Sequence, residues 1–216
     1  MIRSRLQFIR SPRTACAAVI AIACTTVFLV GGTRASAGSI TTTFAGGNGT
    51  PDGNMFDVTA LNPLQITAVD MHVNFDFAFN LDIYIKPGSY VGFETDPGPW
   101  TLVSSGTAIG LGSGTPTPVD VSDFNLPVGS YGMYIDIDSD DGSDGVQYTD
   151  GNSTYSNSDV QLDLGAGIWG DFGSIDVFSP RTWNGTIYYN VAPEPGVAGC
   201  AIACLAIVGL TGRRAK

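Results

Sequence analysis

The sequence predicts an all-β domain, a β-sandwich of jelly-roll type, set between an N-terminal signal helix and a C-terminal hydrophobic helix. Three observations predict it. Apolar and polar residues alternate with period two over long stretches. Clusters of Gly, Pro, Asn and Asp punctuate those stretches, as turns require. Outside the two termini, no segment carries a capped helical stripe. Many short strands with such punctuation favour two packed sheets.

The longest alternation runs from Val69 to Ile85, with Val69, Met71, Val73, Phe75, Phe77, Phe79, Leu81, Ile83 and Ile85 apolar at every odd position. That run is too long for one ordinary strand, so a turn is expected near Asp76 to Asn80, giving two strands. The stretch "YGMYIDID" puts Tyr131, Met133, Ile135 and Ile137 on one face and Gly132, Tyr134, Asp136 and Asp138 on the other. In "RTWNGTIYYNV" the apolar face is Trp183, Ile187, Tyr189 and Val191. The expected interior therefore includes Met71, Val73, Phe75, Ile83, Ile135 and Trp183. The turns are "GGNGTPDGN", "DPGP", "GSGTPTP", "DDGSDG" and "DGNS".

The ends divide the chain into 1–37, 38–191 and 192–216. Arg3, Arg5, Arg10 and Arg13 form a basic start, Ala15 to Gly32 is apolar, and Ala35-Ser36-Ala37 is a small-x-small site. This is the layout of a secretory signal peptide, with cleavage expected between Ala37 and Gly38. An uncleaved N-terminal helix is the alternative. Eight of the ten Lys and Arg lie in the two terminal segments. The body from Gly38 to Val191 retains Lys86 and Arg181 against nineteen Asp and Glu, a net charge of −17. Such a surface repels nucleic acid and anionic headgroups, and suits a solvated exported domain or one that gathers cations. Cysteine follows the same division: Cys16 and Cys24 in the leader, Cys200 and Cys204 in the tail, none in the body. The body thus has no disulfide framework and no thiolate metal site, and must stand on its core.

The chain ends "APEPGVAGCAIACLAIVGLTGRRAK". Gly196 to Gly212 is an apolar run of 17 residues, the short limit for a membrane span, and Arg213, Arg214 and Lys216 follow it. Pro193, Glu194 and Pro195 precede it as a stiff, extended, non-helical segment. The order resembles a PEP-CTERM sorting signal, with Ala192 where Val is usual and a light basic cluster. The resemblance implies an inner-membrane exosortase as processing partner, transient anchoring through the tail, and an exported product at the cell surface or outside the cell. A permanent single-pass anchor is the alternative. The body, through "GNMFDVTAL", "YIKPGSYVGFETDPGPWTLV", "GSGTPTPV", "LPVGSYGMYI" and "FGSIDVFSPRTWNGTIYY", resembles a domain recurring in secreted PEP-CTERM proteins, over about Ser39 to Asn190. That resemblance implies location and no chemistry.

No catalytic constellation emerges. His72, the lone histidine, lies between Asp70 and Asn74 on the polar face of its alternation and reads as an exposed strand residue without a nucleophile elbow to serve. Phosphate-binding glycine patterns and zinc or iron ligand sets are missing. Carboxylates abound, but no pair is singled out for glycosidase work. One cluster, Asp136, Asp138, Asp140, Asp141 and Asp144, raises the question of calcium as a cofactor. Against it, Gly142 falls one place late for an EF-hand-type loop and no Glu closes the loop, so an acidic hairpin is the competing reading.

The expected protein is therefore not an enzyme. It is an exported surface or matrix component, associated with exopolysaccharide or biofilm and without nucleic-acid partners. The alternative is a carbohydrate-binding module stacking sugars on Tyr84, Tyr90, Trp100 or Trp169. A secreted hydrolase ranks behind both.

Overall fold

Period-two alternation produces strands here because each buries one face and wets the other, and a computed structural model follows that rule through residues 36–44, 46–49, 51–138, 145–170 and 176–192, the residues it describes. The strands are β1 (Ser36–Thr41), β2 (Gly53–Ala60), β3 (Leu64–Met71), β4 (Ala78–Pro87), β5 (Thr101–Ile109), β6 (Thr117–Leu126), β7 (Gly129–Asp138), β8 (Tyr148–Asp150), β9 (Thr154–Ser156), β10 (Val160–Trp169), β11 (Asp176–Phe178), β12 (Arg181–Trp183) and β13 (Gly185–Val191). The described residues contain no helix. The break in the long alternation falls at His72 to Phe77, slightly earlier than the spacing suggested.

The main sheet runs β1-β13-β3-β6-β5-β4-β7-β2-β10-β11, with β9 beside β10, and β8 pairs with β12 separately. Its continuity is uneven. β5 and β6 meet through a single bridge, Gly106 with Val121. At that bridge a side chain on Gly106 would stand 2.6 Å from the Asp120 carbonyl oxygen, so only glycine permits the approach. The sheet folds over there into two layers, β1-β13-β3-β6 and β5-β4-β7-β2-β10. At the far side it nearly closes: Asn157, beside β9, donates through Nδ2 to the Ser39 carbonyl of β1 at 3.1 Å and to the Tyr189 hydroxyl at 2.8 Å. The architecture is all-β and sandwich-like.

Between the layers lie Phe56, Val69, Met71, Val73, Phe75, Leu81, Ile83, Ile135, Leu162, Trp183, Ile187 and others, all buried. All six residues expected in the interior are there. Phe56 stacks on Trp183 with ring centroids 5.3 Å apart. A second, smaller core forms on the outer face of β4, β7, β2 and β10, from Met55, Tyr134, Ala166 and Ile168 under Tyr90 and Trp100. The connection between β4 and β5 supplies that cover. Asp57 pins it, accepting from Ser89 Oγ at 2.7 Å and from the Tyr90 amide at 2.8 Å. Lys86 pins it too, donating through Nζ to the carbonyls of Pro87 and Ser89 and lying 4.1 Å above the Phe93 ring.

His72 departs from the sequence reading. It is fully buried, because Phe44, Asn184 and the turn at Gly114 close over the outer face where β3 ends. Its Nε2 accepts the Gly114 amide at 2.6 Å, and burial lowers its pKa.

Ile83 faces Ile135 across β4 and β7 in the main core. Ile83→Asp is expected to cost more than about 4 kcal/mol and to abolish the cooperative thermal transition followed by circular dichroism. A near-native melting temperature would contradict its place in the interior.

Candidate functional site

On the outer face of β6, β5, β4 and β7 the side chains left over by the core are short and oxygen-bearing. Register brings them together. Asp82 sits opposite Asp136 and Asn80 opposite Asp138 across β4 and β7. Asp82 also sits opposite Ser105, and Asn80 opposite Thr107, across β4 and β5. The fold-over at Gly106 swings Asp120 and Ser122 of β6 into the same concavity. The result is a groove of about 640 Å³ lined by Asn80, Asp82, Ser105, Thr107, Asp120, Ser122, Asp136 and Asp138.

Two of the carboxylates, Asp82 and Asp136, are held by hydrogen bonds. Ser105 Oγ donates to Asp82 Oδ1 at 2.5 Å, and the Tyr84 hydroxyl donates to Asp82 Oδ2 at 3.4 Å. The Tyr134 hydroxyl donates to Asp136 Oδ1 at 2.8 Å. Tyr84 and Tyr134 stack 5.9 Å apart, so an aromatic pair from the second core forms the wall between the groove and the β4–β5 connection.

Asp136 is the electrostatically unusual member. Burial pushes its carboxyl up to about 7, a rise that the Tyr134 hydrogen bond partly offsets and that Asp52, Asp82 and Asp138 reinforce. It is half-buried, with no cation among the groups acting on it. The Tyr134 hydroxyl moves up as well, first through burial and then through the Asp136 charge. Near neutral pH the groove therefore contains one carboxyl that exchanges its proton and can either donate or accept a hydrogen bond.

The structure divides the acidic cluster seen in the sequence. Asp136 and Asp138 are strand residues on the groove wall, whereas Asp140, Asp141 and Asp144 lie outside the described residues. Among the described residues, no three His, Cys, Asp or Glu side chains converge as a metal centre. Ala37 and Gly38 lie inside β1, opposite Asn190 and Tyr189 of β13. Ala35, Pro193, Glu194, Pro195, Arg213, Arg214 and Lys216 lie outside the described residues. Of the four aromatics considered for sugar stacking, Tyr90 and Trp100 are buried in the second core, Tyr84 is half-buried, and Trp169 is 46% exposed at the end of β10. Asn80, Asp82, Asp120 and Ser122 escaped the sequence reading as site residues. The signal for Asn80 and Asp82 was present in the polar half of the long alternation. Their meeting with Asp120 was not, since it depends on a strand pairing between distant segments.

No protein-family model matches the chain, and no curated protein matches it in sequence. Among the solved structures that resemble it distantly are two viral particles. The T13 particle of infectious bursal disease virus (IBDV) aligns at 14% identity and a TM-score of 0.26, over 78% of this chain and 42% of the viral one. The VP2 subviral particle of the same virus aligns at 15% identity and a TM-score of 0.25, over 78% and 44%. The chain spans less than half the length of either, and superpositions at that level assign neither fold nor function. Among the described residues, no helix is long and apolar enough to cross a membrane.

Because the folded-state pKa of Asp136 lies above its ordinary 3.8, folding favours the protonated form. Its contribution makes stability fall as pH rises from about 4 to about 7 and then level off. Asp136→Asn keeps an acceptor for Tyr134 and removes the charge. It is expected to raise stability by about 1–3 kcal/mol at pH 8 and by little at pH 4, read from thermal melts. An equal effect at both pH values would contradict the assignment.

Proposed function

We propose that the protein is an exported, non-catalytic component of the cell surface or extracellular matrix, sorted by its tail and processed by an exosortase-type enzyme. The observation that carries this reading is the order Pro193-Glu194-Pro195, apolar run, and Arg213, Arg214 and Lys216 at the end of an acidic, cysteine-free body. The fold suits the role. A domain with no cysteine folds alike in reducing and oxidising compartments, and its large negative charge keeps it soluble after release. We further infer that the sandwich is a jelly roll. The strand orders β1-β13-β3-β6 and β2-β7-β4-β5 support this, with β8 to β12 inserted before the last strand.

A second reading, carbohydrate binding, draws on the groove. Its volume lies in the range of ligand sites. Its lining of hydroxyl, amide and carboxylate groups offers acceptors for the hydroxyls of a neutral polysaccharide. Recognition there would rest on hydrogen bonds rather than on ring stacking.

Mass spectrometry of the exported protein tests the sorting reading. The expected product begins near Gly38 and lacks the segment after Pro195, and joint substitution of Pro193, Glu194 and Pro195 by Ala is expected to leave export intact while the unprocessed form accumulates. Recovery of the Arg213-to-Lys216 end from most of the exported wild-type protein would sink the processing claim.

A further inference from the structure

Strand register fixes where the chain enters and leaves the domain. Ser36 pairs with Val191, so β1 begins and β13 ends at the same end of the same strand pair. Val191 in turn pairs with Leu64 of β3, and Leu64 with Leu126 of β6. The connections at this end therefore include residues 61–63 between β2 and β3, residues 127–128 between β6 and β7, residues 157–159 between β9 and β10, and the start of the β4–β5 connection at Gly88. The Ala192 amide donates to the Pro63 carbonyl at 2.8 Å, which ties the last described residue to the first of these turns. Ala60 pairs with Gly129, so Leu61 and Val128 follow on neighbouring strands. Both are exposed, at 49% and 57%.

Chain length then limits how far this end can stand from the tail's apolar run. Three residues, Pro193, Glu194 and Pro195, separate Ala192 from Gly196. Fully extended, the four steps from Ala192 to Gly196 reach about 14 Å. The polar headgroup layer of one leaflet is about 5–8 Å deep. A tail inserted in the bilayer would thus keep the 61–63 and 127–128 turns at or within a few ångströms of the headgroup layer. Charge does not choose an end, since Asp136 and Asp138 lie toward the opposite one while Asp159 lies at this one, in the turn between β9 and β10. Apolar exposure alone would not choose an end, because Ile109 and Leu111 are exposed at the opposite one, at 65% and 51%. The shared chain exit makes the choice.

We propose that the end of the domain bearing the 61–63 and 127–128 turns is a membrane-apposed surface, with Leu61 and Val128 entering the headgroup layer of a phospholipid bilayer while the tail is retained. This rests on the reading of the tail as a membrane segment. The partner is the lipid surface itself, and net-neutral lipid suits it, since Asp159 beside the 61–63 turn and the charge of the whole body disfavour anionic headgroups. The sorting motif would then lie between the folded domain and the bilayer, with Leu61, Pro63 and Val128 flanking the approach of a processing enzyme.

The test uses the full chain reconstituted in phosphatidylcholine vesicles, with its cysteines replaced by Ala except for one spin-labelled site at a time. The sites are the native Cys204, Leu61→Cys, Val128→Cys, and Leu111→Cys as the exposed apolar control at the opposite end. Collision rates are measured against lipid-soluble oxygen and a water-soluble nickel chelate. The expected result is a lipid-like ratio at 204, a ratio at 61 and 128 several-fold above that at 111, and a water-like value at 111. A lipid-like 204 with 61 and 128 indistinguishable from 111 would overturn the apposed surface and leave the tail reading standing. A water-like 204 would overturn both.

Discussion

The antiparallel pairing of β1 with β13 joins the first described strand to the last, and the rest of the structure depends on it. β13 gives one edge to β3 and the other to β1, so the layer β1-β13-β3-β6 is complete only when the C-terminal strand has arrived. The same pairing sets β1 near β9, where Asn157 reaches across to Ser39 and the sheet nearly closes. It also has a consequence for processing. The bond between Ala37 and Gly38 lies within the paired strand, out of reach of a peptidase once the sheet has formed. Cleavage there, under the proposed export, would have to precede folding.

Without disulfides, the domain draws its cohesion from two apolar layers and from devices that keep polar atoms paired. The main core fills the space between the folded-over layers. The second core exists because one connection, from Gly88 to Trp100, lies down on the outer face and is fastened by Asp57 and Lys86. Gly132 makes room for it, since a side chain there would stand 2.8 Å from the Tyr90 amide nitrogen. That cover ends beside Tyr84 and Tyr134, whose hydroxyls turn toward Asp82 and Asp136. The groove is the uncovered remainder of the same face, and its acidity follows from using one face for both packing and solvation.

The interior was legible in the sequence because its code is local. Ile83, Ile135 and Trp183 could be assigned inward from their own neighbours, since a period of two fixes facing without knowledge of the partner strand. The errors sit where a distant segment covers an outward face. His72 follows the alternation outward and is buried under Phe44 and Asn184, and Tyr134 follows it outward and is buried under Trp100. The groove was half legible for the same reason. Asn80, Asp82, Asp136 and Asp138 advertise an outer polar face, but Asp120 and Ser122 join them through the single Gly106–Val121 bridge, which no local pattern encodes. The acidic run from Asp136 to Asp144 read as one unit, whereas Asp136 and Asp138 belong to a strand whose neighbours, not its continuation, define their surroundings.

Strand closure is the claim from which the two layers, the paired exits and the orientation of the groove all follow. Amide hydrogen exchange on the folded domain reads it most directly. Alternate amides between Gly38 and Thr42, those directed at β13, are expected to be protected to the level of β3 and β13 themselves, because they are held in the same cooperative sheet. Uniformly fast exchange from Gly38 to Thr42, with β13 and β3 still protected, would show that the first strand does not close the sheet and would contradict the account.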